Sequence, residues 1–206
     1  MRQYLEATEL IDCNKKSIIE TASDLTKDKN NDPEKAKALF YFVRDEIRYN
    51  IYLPKLTIQD NKASVTLQRQ EGYCVQKAVL LAALARAIGI PARLRFSDIR
   101  NHLVPKHLLE QRRGINLFVY HGYDELYING RWVKAVVAFD NITCEENKII
   151  PVDFDGINDA LLHKYNRDGK LHVEYEKDHG HYPDLPLNYI IAERKRAYGV
   201  DDLNGW

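Results

Sequence analysis

The sequence predicts an α+β fold, and three observations carry that expectation. Residues 75–88 are apolar nearly all the way round a helix, relieved only by Gln76, Lys77 and Arg86, which is the pattern of an interior helix. Asn129-Gly130 stands between two β-rich segments and is the preferred loop pair of a type I′ hairpin. Helical patterns come first along the chain and strand patterns follow the buried helix, an order typical of segregated helices and antiparallel sheet.

The elements follow in order. Residues 15–26 read as a short helix and 27–31 as a polar connector. Asp32 can cap a second helix with Pro33 at its first position. Ala36, Leu39, Phe40, Val43 and Ile47 then recur at helical spacing, so an amphipathic helix is expected over 33–49. Residues 53–70 show no sustained period and read as loop with one short turn. The buried helix follows, with Gly89 expected at C′ and Pro91 forbidding its continuation. "ARLRF" (92–96) reads as a strand. In the Asn-Gly hairpin, Ile128 is set opposite Arg131, Tyr127 opposite Trp132 and Glu125 opposite Lys134. Extending that register sets Tyr123 opposite Val136 and His121 opposite Ala138. A weaker hairpin is expected around Asp168-Gly169, and 187–198 reads as a final helix.

No repeat, low-complexity stretch or Pro/Gly/Ser-rich linker divides the 206 residues. One domain is expected, with an N-terminal helical segment (1–31), a core (32–140) and an extension covering it (141–206). The 30 basic and 30 acidic side chains balance to a formal charge of +0, which argues against nucleic acid and anionic membranes as partners. Cys13, Cys74 and Cys144 are odd in number and widely spaced, fitting neither a disulfide framework nor a zinc site. The N-terminus has no apolar signal core, and the longest apolar run, 79–85, is too short to span a bilayer. A cytoplasmic protein is expected.

Cys74 opens the buried helix. Free N–H groups and the helix dipole there favour an anion, and a thiol in such a place can have its pKa lowered to roughly 3.5–7.5, against about 8.5 when free. Its own backbone N–H is a natural oxyanion donor. A thiolate nucleophile needs an imidazole. Of the seven histidines, His121 stands out, on the first strand of the hairpin with Tyr123, Glu125 and Tyr127 on its face. The hairpin register leaves Val136 and Asp140 as diagonal neighbours of His121, and only Asp140 could orient the ring. Gln68 and Gln70 are candidate oxyanion donors, and Tyr73 and Tyr123 candidate lining residues. His102 is a rival imidazole. "DHGHYPD" (178–184) reads mainly as a polar turn, and Glu125–Lys134 and Asp45–Arg48 as surface charge pairs.

These segments resemble the transglutaminase-like branch of the papain-like cysteine-enzyme fold. "GYCVQKAVLLAALARAIGIPAR" is similar to its nucleophile helix, "HGYDELYINGRWV" to its histidine hairpin and "DPEKAKALFYFVRDEIRYN" to the helix before its core. The resemblance implies a papain-like core in which the cysteine helix packs on an antiparallel sheet bearing histidine and acid. The sequence departs from the pattern where the family's acid falls, four residues after the hairpin tryptophan; Val136 stands there. "WVKAVVAFD" is similar instead to a variant with Asn at its end, which puts Asp140 in that place. The implied activity is acyl transfer through a Cys74 thioester on a peptide or protein amide, hydrolysis being favoured over transamidation, with no cofactor. Because of Val136, a binding module that keeps the fold without the catalysis is the alternative. An arylamine acyl-transferase reading needs a coenzyme site that the sequence does not display.

Overall fold

A computed structural model describes residues 1–53 and 56–203. Pro54 and Lys55, within the stretch expected as loop, and 204–206, at the end of the expected covering extension, lie outside the described residues. Helix α1 spans Lys16–Thr26. Helix α2 spans Asp32–Tyr41 and is capped by Asn31, one residue earlier than expected, whose side chain accepts from the Glu34 N–H at 2.9 Å. The expected helix over 33–49 does not run through. It widens into a π-helical turn at Phe42–Glu46 and then extends into a two-residue strand, β1 (Arg48–Tyr49).

The stretch read as loop holds helix α3 (Ala63–Arg69), ended by Gln70 in a left-handed conformation at φ 58°. Its buried face is only Ala63 and Thr66, too small to register as apolar periodicity. Strand β2 (Glu71–Gly72) pairs in parallel with β1 and delivers the chain to α4 (Cys74–Ala87), every residue of which from Cys74 to Arg86 is buried. Gly89 follows the cap at φ 83°, the left-handed stop expected there.

The main sheet has the order β5-β4-β3-β6. Strand β3 (Ala92–Asn101) runs five residues beyond the expected strand and is central, flanked by β4 (Leu117–Ile128) and β6 (Val173–Tyr182), both antiparallel to it. The short helix α5 (Lys106–Gln111) joins β3 to β4. The β4–β5 hairpin turns at Asn129 and Gly130, both at positive φ, in the expected register from Ile128↔Arg131 to Asp124↔Ala135. Strand β5 (Arg131–Ala135) stops there. The Val136 N–H instead donates to the Ala160 carbonyl at 3.0 Å, so the ladder expected to set Val136 against Tyr123 and Ala138 against His121 does not form. Residues 136–138 are buried on both faces, which a simple alternation cannot convey. The Asp168-Gly169 turn closes with a single bridge, Tyr165↔Leu171. Helices α6 (Asn141–Glu146) and α7 (Leu187–Tyr198) complete the described chain, and α7 packs against β4.

Helix α4 sits between the sheet (β3 and β4) on one side and α1, α2 and α3 on the other, which accounts for its apolar surround. Two of its polar residues are spent on backbone carbonyls. Lys77 is fully buried and its Nζ donates to the carbonyls of Arg44 and Ile47 at 2.9 and 2.7 Å, fixing the end of the π turn and thereby β1. Arg86 donates to the carbonyls of Ala92, Glu6 and Pro183. The expected surface charge pairs rearrange: Glu125 is buried between Arg93 (2.6 Å) and Arg95 (3.0 Å), Lys134 faces Asp159, and Asp45 bonds Arg44. Buried Glu125 thus finds its partners on the neighbouring strand β3 and not across the hairpin.

Candidate active site

Cys74 is the first residue of α4, and Tyr73 before it is extended, its N–H donating to the Gln76 side chain at 3.2 Å. The sulfur is nearly sealed, the residue being 9% exposed. Burial pushes a thiol's pKa up, because the thiolate loses its water. Here that push is overcome. The His121 imidazole, through its charge and a hydrogen bond, the Arg194 guanidinium and the Gly122 N–H together lower Cys74 to about 7. Tyr73 and Tyr49 are the other titratable groups whose charge the thiol feels. Both are pushed upward, chiefly by burial, and so stand neutral beside it.

Gly122 makes this approach possible. A Cβ there would lie 3.0 Å from Val75 Cγ2, 3.1 Å from Phe96 Cε1 and 3.2 Å from Val75 Cα, contacts so tight that a side chain would press against the start of α4. Neither Gly122 nor Arg194 was among the sequence candidates. A glycine beside a strand histidine is a visible clue to close backbone approach; Arg194 lies over a hundred positions beyond Cys74 and gives no local signal.

A cleft of about 460 Å³ opens on this pair. Its walls include Tyr49 and Tyr52, then Ile99, Phe118 and Val119 from the sheet, and Ile190, Ile191 and Arg194 from α7. Among the described residues its lining includes Arg48, Arg112 and Arg194 and no carboxylate.

The other candidates fall as follows. Tyr73 lines the cleft. Tyr123 does not; it is buried, its ring stacked beside His121 at 6.4 Å and its hydroxyl 3.3 Å from Ser97 Oγ. Gln68 and Gln70 are exposed, on α3 and at its left-handed cap, outside the cleft wall. Asp140 caps α6. One oxygen accepts from the Thr143 N–H at 2.7 Å and the other from the Tyr49 N–H at 2.6 Å, and no hydrogen bond joins it to the His121 imidazole. His121 Nε2 is buried with no hydrogen-bond partner among the described residues. Asp140 therefore holds β1, and with it Tyr49, against the cleft. The geometric route to Asp140 fails because the ladder ends before Val136. His102 bonds Glu174 at 2.9 Å on the far reach of β3. Of the histidines in "DHGHYPD", His179 bonds Asp98 at 2.7 Å and His181 packs against Tyr4. Among the described residues no group of three or more His, Cys, Asp or Glu side chains is placed to hold a metal ion, and no helix is long and apolar enough to cross a membrane.

A thiol opening a buried helix, with a histidine strand laid across its first turn, defines a cysteine-enzyme type of core. Residues 19–136 match the sequence profile of the transglutaminase-like superfamily, and the chain belongs to that superfamily. No curated protein sequence matches the chain. Among solved structures, a candidate cysteine protease from Cytophaga hutchinsonii is similar at 15% identity and a TM-score of 0.50, over 87% of this chain and 53% of that one. A candidate protease from Parabacteroides distasonis ATCC 8503 matches at 14% identity and a TM-score of 0.42, over 65% of this chain and 24% of that one. The chain thus spans about half the length of the first and a quarter of the second. The superfamily match supports a cysteine-enzyme kind of activity, and the Cytophaga hutchinsonii structure supports the fold.

Proposed function

We propose that the protein is a cysteine-dependent acyl-transfer enzyme acting on peptide or protein amides, with Cys74 as nucleophile and His121 as its acid–base partner. The observation that carries this reading is positional: Cys74 opens α4, His121 and Arg194 line the same cleft, and Gly122 lets β4 lie close against the helix start, so that the imidazole and guanidinium charges oppose the push of burial on the thiol. In the first step the thiolate attacks the amide carbonyl, and the carbon–sulfur bond forms. The Cys74 N–H, unpaired within the helix as all first-turn N–H groups are, faces the oxyanion. His121 then gives its proton to the departing nitrogen as the carbon–nitrogen bond breaks. Water, deprotonated by the neutral imidazole, resolves the thioester to a carboxylate and frees the thiol.

In this reading His121 works without a carboxylate on its second nitrogen, and Asp140 serves the cleft wall. Tyr73 and Tyr49 flank the acyl site. The arginines of the lining favour a neutral or anionic amide substrate over a cationic one. The three unpaired thiols suit a reducing compartment such as the cytoplasm.

The test is release of ammonia or of new amino groups from a glutamine-rich protein substrate, measured with and without a labelled primary amine. Release in both cases, with no label incorporated, supports hydrolysis. Label incorporation makes the enzyme a transamidase. Neither product, with no acylated Cys74 found by mass spectrometry, contradicts the enzyme reading. It then favours the binding module, to which the partnerless His121 Nε2 also points.

A further inference from the structure

Tyr120, immediately before His121, holds a left-handed backbone at φ 56°. For an aromatic residue such a backbone is strained and persists only where the surroundings over-determine it. It lies in an irregularity of the sheet. Ser97 pairs with His121 and Ile99 with Phe118, so Val119 and Tyr120 are set against Asp98 alone. Such a bulge bends the strand and re-aims the side chain that follows.

The bulge is tied down completely. Buried backbone polar groups require partners, and all four belonging to Val119 and Tyr120 find theirs on side chains. The Val119 N–H donates to the Tyr198 hydroxyl at 2.8 Å and the Tyr120 N–H to Asp98 Oδ1 at 3.0 Å. The two carbonyls accept from a single guanidinium: Arg194 Nε donates to Val119 at 3.0 Å and Nη2 to Tyr120 at 2.9 Å. His179 braces the same corner, its Nε2 2.7 Å from Asp98 Oδ1 and its ring stacked on Tyr120 at 3.8 Å. Arg194 also lines the cleft with Cys74 and His121.

We propose that Arg194 is a positioning residue for the Cys74–His121 pair: its fork grips both carbonyls of the bulge and so fixes the direction in which His121 leaves β4, while its charge faces the sulfur. This rests on the reading of Cys74 as a nucleophile. It also gives the last described helix a task, since α7 supplies both Arg194 and Tyr198 to the bulge. Lysine is not an equivalent here, because an ammonium is a point charge without the rigid planar fork that sets Nε and Nη2 on two successive carbonyls in one orientation.

The experiment compares wild type, R194K and R194Q by the pH dependence of Cys74 alkylation with iodoacetamide, alongside the His121 ring signals in the NMR spectrum. The groups facing the sulfur are His121 from β4, Arg194 from α7, Tyr49 from β1 and Tyr73 at the helix start. With both tyrosines neutral in the working range, a shift reports His121 and Arg194. The expected order of midpoints is wild type lowest, then R194K, then R194Q. R194Q is expected to react about threefold to tenfold more slowly than wild type at pH 6, and both variants to show displaced His121 signals. Should R194Q not fold, R194K carries the test through its smaller shift and its displaced ring signals. A variant that folds and matches wild type in midpoint and ring signals overturns the proposal. A wild-type midpoint near that of a free thiol instead sinks the nucleophile reading itself, and this inference with it.

Discussion

Cys74 and Cys144 are both buried and both lie in helices, yet their surroundings drive them apart. At the start of α4, the push of burial on Cys74 is reversed by His121, Arg194 and the Gly122 N–H, and the thiol settles at about 7. In α6, burial of Cys144 is reinforced by the nearby Asp140 carboxylate, and the thiol rises to about 11. Its sulfur points at the Phe139 carbonyl, 4.0 Å away. Burial by itself makes a thiol inert. What lowers one against its burial is the sign of the charge arranged around it, and in this fold that charge arrives from β4 and α7. The same Asp140 that the hairpin register aimed at His121 adds its charge to the burial that raises Cys144.

Replacing the two thiols breaks the comparison most severely. Cys74→Ala is expected to lower amide turnover by about 10⁴-fold or more, whereas Cys144→Ala leaves turnover intact and costs about 1 kcal/mol of stability through the cavity it leaves. Steady-state kinetics and thermal melts of the pair read both outcomes. His121→Asn should come next. Losing the imidazole lifts the Cys74 midpoint toward that of a free thiol, and alkylation at pH 6 falls about tenfold, the weaker thiolate fraction being partly offset by greater intrinsic nucleophilicity. Cys144 should not respond.

Gly122→Ala sharpens the comparison structurally. Its methyl must displace Val75, at a cost of about 1–3 kcal/mol, and by parting β4 from α4 it should raise the Cys74 midpoint while leaving Cys144 alone. A chemical melt gives the first quantity and alkylation mapping the second.

The smallest effect concerns the opposite face of β4. Asp124 is fully buried, and both its oxygens lack hydrogen-bond partners among the described residues. Burial raises its pKa well above the usual carboxylate range, with Arg86 only partly opposing. The folded state therefore holds this proton above the unfolded pKa of about 4, and the stability it contributes at low pH is lost as pH rises toward the folded value. Asp124→Asn removes that loss. The difference in melting temperature between variant and wild type should grow with pH from about 4 upward, and a flat difference would contradict the assignment. Lys77, lowered by burial to about 7, works with the opposite slope above that pH in both proteins and cancels in the difference.

Much of this was legible in the sequence. The interior character of α4, its stop at Gly89, the Asn-Gly turn and the span of α7 follow from local chemistry, and so does the choice of Cys74 and His121 as candidates. What escaped depends on packing between distant segments. The helix expected to continue to residue 49 is interrupted by a π turn at the level where Lys77 seizes the carbonyls of Arg44 and Ile47. Helix α3 buries too little apolar surface to show a period. The register that led to Asp140 stops short because Val136 takes a partner at Ala160 instead of on β4, and Asp140 accepts from Tyr49 and Thr143. Gln68 and Gln70 turned outward once α3 replaced the expected loop. Arg194 could not be found by any rule of spacing, since only the folded sheet brings it beneath the bulge.

The central claim is that position, not burial, activates one thiol of three. It is tested most directly by alkylating the native protein with iodoacetamide from pH 5 to 10 and quantifying the adduct on Cys13, Cys74 and Cys144 by mass spectrometry. The account predicts that Cys74 reacts with a midpoint near 7, while Cys13, which burial raises, and Cys144 stay essentially unmodified in the folded protein through pH 8. Equal reactivity of the three, or a Cys74 midpoint at or above that of a free thiol, would contradict it.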